Sequence, residues 1–205
     1  MHLGLCICEA LRSIHTHTRT RITILMHVSE AHKPTSTGHL ASLVLSNAEV
    51  RLRGLPHVAT RLDDVATNAR RAGAESYRPI VLFPARNAIP LEEARRNIRG
   101  AQINLIVPEG TWRQARKVLT REPELTEVPV VRLPANTPPS QYGLRRNVRD
   151  SGHLCTLEAI AVALACLGEQ AAASALLDAL RLMVDRVRRS RGLMVEGVAE
   201  KTTAT

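Results

Sequence analysis

Five short apolar runs recur along the chain, and segments with helical spacing of their apolar residues separate them. Runs that are rich in β-branched residues and lack polar alternation are typical of strands covered on both faces. The helical segments between them favour parallel pairing, because a parallel connection must cross a face of the sheet. The predicted strands are 21–28, 48–52, 79–83, 102–107 and 128–133. We therefore predict an α/β fold with an open, mostly parallel sheet and helices on both faces.

Helix signals appear where capping residues precede apolar positions three and four residues apart. The hydroxyls in the turn 34–38 can cap one helix, and Thr156 can cap a later one that runs to about Leu167. Further helices are predicted for 62–72, 91–99 and 111–121, and a last one carries its apolar face between Ala173 and Val187. We expect a single domain over residues 1–192 and a flexible polar tail over 193–205.

The stretch 134–155 interrupts this pattern. A connection of this length is uncommon inside a compact domain and is more often functional. Pro138 and Pro139 stiffen it, and it contains Arg145, Arg146 and Arg149. Arginine forks match the geometry of carboxylates and phosphates, so the segment could hold an anionic ligand or an RNA backbone. The alternative is a solvated basic loop.

Positive charge dominates the composition. Lys and Arg number 28 and Asp and Glu number 19, which gives a formal net charge of +9. This excess points to a polyanionic partner, and nucleic acid is the first candidate. Aromatic residues make up 2% of the chain, too few to stack splayed bases as an RNA-recognition motif does. Contacts to RNA should therefore rest mainly on arginine.

Other features of the composition bear on compartment and metal binding. No apolar stretch approaches the roughly 20 residues that cross a bilayer, and four cysteines in a chain of this length do not make a disulfide framework. We expect a soluble cytoplasmic protein with reduced thiols and no membrane contact. Cys6, Cys8, His15 and His17 are of types that bind zinc, but their spacing is not that of a standard finger. We predict no bound metal.

The fourth predicted strand ends in a glutamate, a glycine and a threonine, after which a helix begins. Ligands of open parallel sheets bind beyond the carboxyl ends of the strands. Glu109 would then face the site, and Gly110 would let a ligand approach the backbone. The alternative is that Glu109 and Thr111 cap the helix.

Five blocks of the sequence, taken in order, resemble the DTW-domain family, which comprises tRNA-uridine aminocarboxypropyltransferases. The similarity runs from about Cys6 to Leu167. Any single block is a weak signal, but the ordered set is specific. The blocks are His27-x-x-Glu30-x-x-Lys-Pro34-Thr-Ser-Thr-Gly38-x-Leu40-Ala41, Leu82-Phe83-Pro84, Glu109-Gly-Thr-Trp112-x-x-Ala115-Arg116, Ser140-x-Tyr142-x-Leu144-Arg145 and Thr156-Leu-Glu158-Ala159-Ile160.

The resemblance implies a SPOUT-like fold with a C-terminal trefoil knot, which a sequence pattern alone does not predict. It also implies an activity: transfer of the 3-amino-3-carboxypropyl group from S-adenosylmethionine, a co-substrate, to N3 of a uridine in tRNA, with release of methylthioadenosine. One alternative is a SPOUT-type RNA methyltransferase with the same co-substrate, and another is a non-catalytic RNA-binding relative. Residues 1–20 would be a shortened Cys-containing segment, since the family often begins with a further Cys-x-x-Cys.

The resemblance assigns roles to individual residues. Glu109 stands where the family has Asp and would accept the N3 proton, Thr111 would assist, and Arg145 would hold the aminocarboxypropyl carboxylate. Trp112 would either stack on a base or pack under the turn. The expected RNA contacts are Trp112, Arg113, Arg146 and Arg149. The expected co-substrate pocket consists of Ser36, Thr37, Pro108, Gly110, Leu133, Pro134, Ala135, Tyr142, Leu154 and Thr156.

Overall fold

A parallel β-sheet runs through the described part of the protein, which in this computed structural model covers residues 6–66, 77–98, 100–144 and 153–193. The six strands found there, in chain order, are β1 Arg21–His27, β2 Ala48–Arg53, β3 Tyr77–Leu82, β4 Ile89–Pro90, β5 Gln102–Glu109 and β6 Val130–Arg132. They lie side by side in the order β2-β1-β5-β3-β6-β4, and every neighbouring pair is parallel. The long apolar strands β1 and β5 therefore lie inside the sheet, with a strand on each side, as their apolar sequences favour.

Helices cover both faces of this sheet. The helices are α1 Cys8–Ser13, α2 Thr37–Val44, α3 Asp63–Ala66, α4 Leu91–Asn97, α5 Trp112–Arg121, α6 Thr156–Cys166 and α7 Gln170–Ser190. Alternate residues of β5 separate two cores: Leu105 and Val107 join a large core with α2, α4, α6 and α7, whereas Ile106 joins a smaller core with α3 and α5.

The α/β prediction, with its parallel sheet and helices on both faces, is confirmed. All five predicted strands are present, whereas the two-residue strand β4 and the short helix α1 were not predicted, because neither is long enough to show a period. The predicted helix 62–72 is described as far as Ala66, and the rest of it lies outside the described residues. The SPOUT-like assignment, the knot and the domain limits stay predictions.

The predicted cap of α6 is corrected by one residue. Cys155, in an extended conformation with φ −72° and ψ 165°, occupies the N-cap position, and Thr156 is already the first helical residue. A capping box closes this end: the Glu158 backbone N–H donates to the Cys155 sulfur, and the Cys155 backbone N–H donates to Glu158 Oε2 at 2.8 Å. Burial, and next the negative charge of Glu158, raise the pKa of the Cys155 thiol. The thiol therefore stays protonated at neutral pH.

Parallel pairing brings the carboxyl ends of the central strands to one edge of the sheet. Met26 of β1 lies beside Glu109 of β5, and Leu82 of β3 lies beside Val131 of β6. The loops that leave these strand ends are those with the sequence blocks singled out above. This edge is where a ligand site is expected.

Candidate active site

A cavity of about 420 Å³ opens at this edge, beyond the ends of β3, β5 and β6. Its volume lies within the range of small-molecule sites, roughly 300–1,000 Å³. The strand ends contribute Leu82, Phe83, Pro84, Val107, Pro108, Gly110, Arg132, Leu133, Pro134 and Ala135 to its wall. The helices and loops contribute Trp112, Ala115, Thr137, Pro138, His153, Leu154, Thr156 and Ala159.

Eight of the residues predicted from the sequence line this cavity: Pro108, Gly110, Trp112, Leu133, Pro134, Ala135, Leu154 and Thr156. The other predicted residues within the described ranges are not part of its wall, and these are Ser36, Thr37, Glu109, Thr111, Arg113 and Tyr142. The predicted Arg145, Arg146 and Arg149 lie outside the described residues.

The turn from β5 into α5 depends on Gly110 and Thr111. Gly110 has a φ of +152°, and a Cβ there would lie 3.0 Å from Gln114 Oε1, so glycine suits both the backbone and the space. Thr111 is the N-cap of α5: the Gln114 backbone N–H donates to its Oγ1 at 3.3 Å, and the Thr111 backbone N–H donates to Gln114 Oε1 at 2.8 Å. The capping alternative is thus observed for Thr111. Its catalytic role stays a prediction.

Glu109 is buried at the end of β5, and its carboxylate meets the start of α2. Glu109 Oε1 accepts hydrogen bonds from Ser36 Oγ at 3.0 Å and from the Gly38 backbone N–H at 3.1 Å. The second oxygen, Oε2, is buried and has no hydrogen-bond partner within the described structure. Burial raises the pKa of the Glu109 carboxyl, and the two hydrogen bonds partly oppose that rise. The side chain therefore favours the protonated form more than an exposed glutamate does.

Gly38 makes this arrangement possible. A Cβ at position 38 would lie 1.7 Å from Glu109 Oε2, so the carboxylate occupies the space that any side chain would need. Ser36, one of the hydroxyl residues of the turn 34–38 expected to cap α2, occupies the N-cap position but directs its hydroxyl to Glu109. The end of β5 and the start of α2 therefore fit against each other as one unit.

Two other predicted pocket residues contact the segment at the start of α2: Thr37 is the first residue of that helix, and Tyr142 reaches the segment from the loop after β6. The Thr37 hydroxyl hydrogen-bonds the Cys155 thiol, and the Tyr142 hydroxyl donates to the Thr35 carbonyl at 2.7 Å. They connect α2 to the N-cap of α6 and to the loop that follows β6. Their contacts place them behind the cavity wall, where they support the segments that form it.

Glu158 holds the loop after β6 against α6. Its carboxylate is buried and accepts three short hydrogen bonds, from Ser140 Oγ at 2.6 Å, the Gln141 backbone N–H at 2.6 Å and the Cys155 backbone N–H at 2.8 Å. Thr137 and Pro138 of the same loop line the cavity. Glu158 lies in a predicted motif block but was not predicted as a site residue, because Ser140 and Gln141, two of its three partners, lie in a different block.

Aromatic contacts form one side of the cavity. The Trp112 ring meets Phe83 edge-on at a centroid distance of 5.4 Å and His153 at 4.7 Å. Trp112 nevertheless remains 38% exposed, so packing under the turn leaves part of its surface free. Phe83 and His153 were not predicted as site residues. Phe83 could have been identified as a site residue by its position directly after an apolar strand.

Arg132 contributes a positive charge to the same wall, and it too was not predicted as a site residue. It is the last residue of β6, and its Nη1 donates to the Ala88 carbonyl. Apart from it, the described residues of the cavity wall contain no aspartate, glutamate, lysine or arginine. The feature of the sequence that could have identified Arg132 is its position as a charged residue at the end of an apolar strand.

A sequence model of the DTW domain matches residues 1–188. The chain belongs to the DTW-domain family. It is 27% identical over 163 residues to tRNA-uridine aminocarboxypropyltransferase 2 of Macaca fascicularis, across 79% of this chain and 52% of that protein. It is 28% identical over 163 residues to the protein of the same name from Drosophila melanogaster, across 79% of this chain and 62% of that protein. The chain therefore spans little more than half the length of these curated relatives. No solved structure matches it significantly.

Three of the five DTW-family blocks meet at the cavity. Phe83 represents the second block, Gly110 and Trp112 the third, and Thr156 and Ala159 the fifth. The third block has Glu109 where the family has Asp, and it is this longer side chain that contacts α2. The sequence blocks of the DTW domain thus divide between the wall of the cavity and the supports behind it.

We predicted that the protein binds no metal ion and does not contact a membrane. Within the described residues, no group of three or more His, Cys, Asp and Glu side chains could hold a metal ion, and Cys6 and Cys8 are both exposed. Those residues also include no helix that is long and apolar enough to span a bilayer.

Proposed function

We propose that this DTW protein transfers the 3-amino-3-carboxypropyl group of S-adenosylmethionine to N3 of a uridine in tRNA and releases methylthioadenosine. The observation that carries the proposal is the meeting of three DTW-family blocks at one cavity of ligand size, beyond the ends of parallel strands. The names of the two relatives support the same reaction. The free thiols of the described cysteines agree with a cytoplasmic site of action.

The wall of the cavity fits this co-substrate in character. Its surface is mainly apolar, as the flat purine requires, and the hydroxyls of Thr137 and Thr156 and the guanidinium of Arg132 offer a few polar contacts. Pro108, Gly110, Leu133, Pro134, Ala135, Leu154 and Thr156 would hold it. The sulfonium supplies the leaving group, so the protein has to orient the reacting carbon, exclude water and accept one proton.

In the proposed reaction a C–N bond forms between N3 and the carbon next to sulfur, the C–S bond breaks, and the N3 proton passes to a base. Glu109 is the proposed base: burial raises the pKa of its carboxyl, and a higher pKa makes the carboxylate a stronger proton acceptor. Its carboxylate contacts Ser36 and Gly38, so it must rotate toward the cavity to act. Assistance by Thr111 and a contact from Arg145 stay predictions.

The solvent side of α5 is the proposed tRNA surface. This helix begins at Trp112, at the cavity, and carries Arg113, Arg116, Lys117 and Arg121 opposite its buried face of Ala115 and Val118. These four cations have no ion pair within the described part of the chain. Phosphate contacts by such cations weaken with salt. Replacing Arg113 and Arg116 by Ala should raise the KM for tRNA, whereas Arg181→Ala on α7, where Arg181 is paired with Asp178, should not.

Product identity tests the proposal. Purified protein is incubated with tRNA and S-adenosylmethionine, the small products are separated by chromatography, and the tRNA nucleosides are analysed by mass spectrometry. Methylthioadenosine together with an aminocarboxypropyl uridine is the expected result. S-adenosylhomocysteine with a methylated nucleoside would instead identify a methyltransferase. Stable tRNA binding without either product would identify a non-catalytic relative.

A further inference from the structure

Arg132 stands out in the cavity wall because of its charge. The other described lining residues are apolar, except for two threonines and His153. Arg132 is the exposed last residue of β6, so its guanidinium is hydrated and open to an anionic ligand that enters the cavity. Arg132 is therefore the lining residue most able to determine which ligand binds in the cavity.

The described structure gives Arg132 a carbonyl partner but no carboxylate. Its Nη1 donates to the Ala88 carbonyl, which fixes one edge of the guanidinium, and none of the ion pairs between described residues includes it. A guanidinium has five N–H donors in a planar fork, so most of them stay available. A carboxylate matches that fork with two parallel hydrogen bonds.

We propose that Arg132 binds the carboxylate of the amino-acid end of the co-substrate, and that it thereby selects S-adenosylmethionine over its decarboxylated form. This inference rests on the proposed function, because it assumes that S-adenosylmethionine occupies the cavity. It gives Arg132 the contact that the family resemblance assigned to Arg145. The position agrees with that role, because Arg132 directly precedes the wall segment Leu133, Pro134 and Ala135.

The experiment compares two ligands that differ by one carboxylate. Calorimetric titration of the full chain with S-adenosylmethionine and with decarboxylated S-adenosylmethionine gives two dissociation constants. The unaltered protein should prefer the carboxylated ligand by about 10- to 100-fold, the range expected for hydrogen bonds to a charged group. Arg132→Ala should weaken binding of S-adenosylmethionine by that factor and leave the decarboxylated ligand almost unaffected. Arg132→Lys should keep part of the preference.

A matched control is Arg95→Ala. Arg95 also donates from Nη1 to a backbone carbonyl, that of Cys166 at 2.8 Å, but it is not part of the cavity wall. This variant should keep the full preference, which would separate ligand selection from the loss of a carbonyl contact.

The outcomes separate the two proposals. If S-adenosylmethionine binds and Arg132→Ala keeps the preference, or weakens both ligands equally, the role of Arg132 is wrong while the proposed function stands. If neither ligand binds the unaltered protein, the proposed co-substrate is wrong and the role of Arg132 falls with it.

Discussion

Glu109 and Glu158 are two buried carboxylates that each face the N-terminal end of a helix, yet their hydrogen bonding differs. Both oxygens of Glu158 accept hydrogen bonds, three in all, from Ser140, Gln141 and Cys155. Glu109 accepts two on one oxygen and leaves its other oxygen without a partner among the described residues. A fully bonded carboxylate fixes the segments around it, whereas one with a spare buried oxygen can change its proton or its partner.

This difference indicates a structural role for Glu158 and a role in the reaction for Glu109. Glu158 lies in the last motif block and holds the loop that lines the cavity, so its contribution should appear in stability. Glu109 lies in the block that gives the family its name, and its contribution should appear in turnover.

The largest expected effect is on turnover in Glu109→Gln. The amide keeps an oxygen acceptor for Ser36 and Gly38 but cannot take up the N3 proton, so kcat should fall by about 10²- to 10⁴-fold. Release of methylthioadenosine at saturating tRNA measures this, and calorimetry checks that S-adenosylmethionine still binds. Full turnover in this variant would limit Glu109 to holding the start of α2.

Glu158→Ala should have the largest effect on stability. Its donors Ser140 and Gln141 are exposed and Cys155 is half-buried, so water replaces part of what they lose. Three hydrogen bonds to a charged acceptor disappear, and the free energy of unfolding should fall by about 3 kcal/mol. Chemical denaturation measures the change. Ser140→Ala removes one of these donors and also the acceptor of the Tyr142 backbone N–H. It serves as control and should cost about 1 kcal/mol. An equal loss in both variants would contradict the role of Glu158 as the common acceptor.

Gly38→Ala tests the close approach of Glu109 to α2. The added methyl group overlaps Glu109 Oε2, so the free energy of unfolding should fall by about 2 kcal/mol. Gly143→Ala is the control, since the atom nearest its Cβ would be Arg188 Nη2 at 3.6 Å.

A double-mutant cycle makes this test specific. In a Glu109→Ala background the carboxylate is gone, and Gly38→Ala should cost much less than in the parent protein. The same denaturation curves measure both backgrounds. If Gly38→Ala costs the same free energy in both backgrounds, its added methyl group does not overlap the Glu109 carboxylate.

The smallest expected effect is a pH dependence of stability. Because burial raises the pKa of Glu109, the folded protein keeps this proton at pH values where the unfolded chain has lost it. Stability should therefore decrease as the pH rises from the ordinary glutamate range through the raised pKa. Glu109→Gln lacks this titration, so its stability relative to the parent should increase over the same window. Denaturation at several pH values measures this, and a constant difference would rule it out.

The sequence predicted the fold where apolar runs are long. β1, β3 and β5 each contain a run of successive apolar or β-branched residues, and their limits agree with prediction within about two residues. The limits of β2, in which apolar and charged residues alternate, agree as well. β4 consists of Ile89 and Pro90 alone, and only its pairing with β6 makes it a strand. No local pattern can indicate such an element.

The site was predictable where it follows from strand ends. Pro108, Gly110, Leu133, Pro134 and Ala135 line the cavity, as their positions after parallel strands indicated. Contacts between distant segments were not predictable. Nothing near position 109 in the sequence indicates that its side chain meets Gly38, and nothing near Glu158 indicates that Ser140 and Gln141 donate to it.

The contact between Gly38 and Glu109 means that the two positions share one volume. With Glu at position 109 the carboxylate fills the space beside α2, and glycine is required at position 38. Gly38 belongs to the block that resembles the family, so restoring the family's Asp at position 109 needs no change at position 38. The activity of such a variant would report on packing as well as on chemistry, because the shorter side chain would withdraw its carboxylate from Ser36 and Gly38.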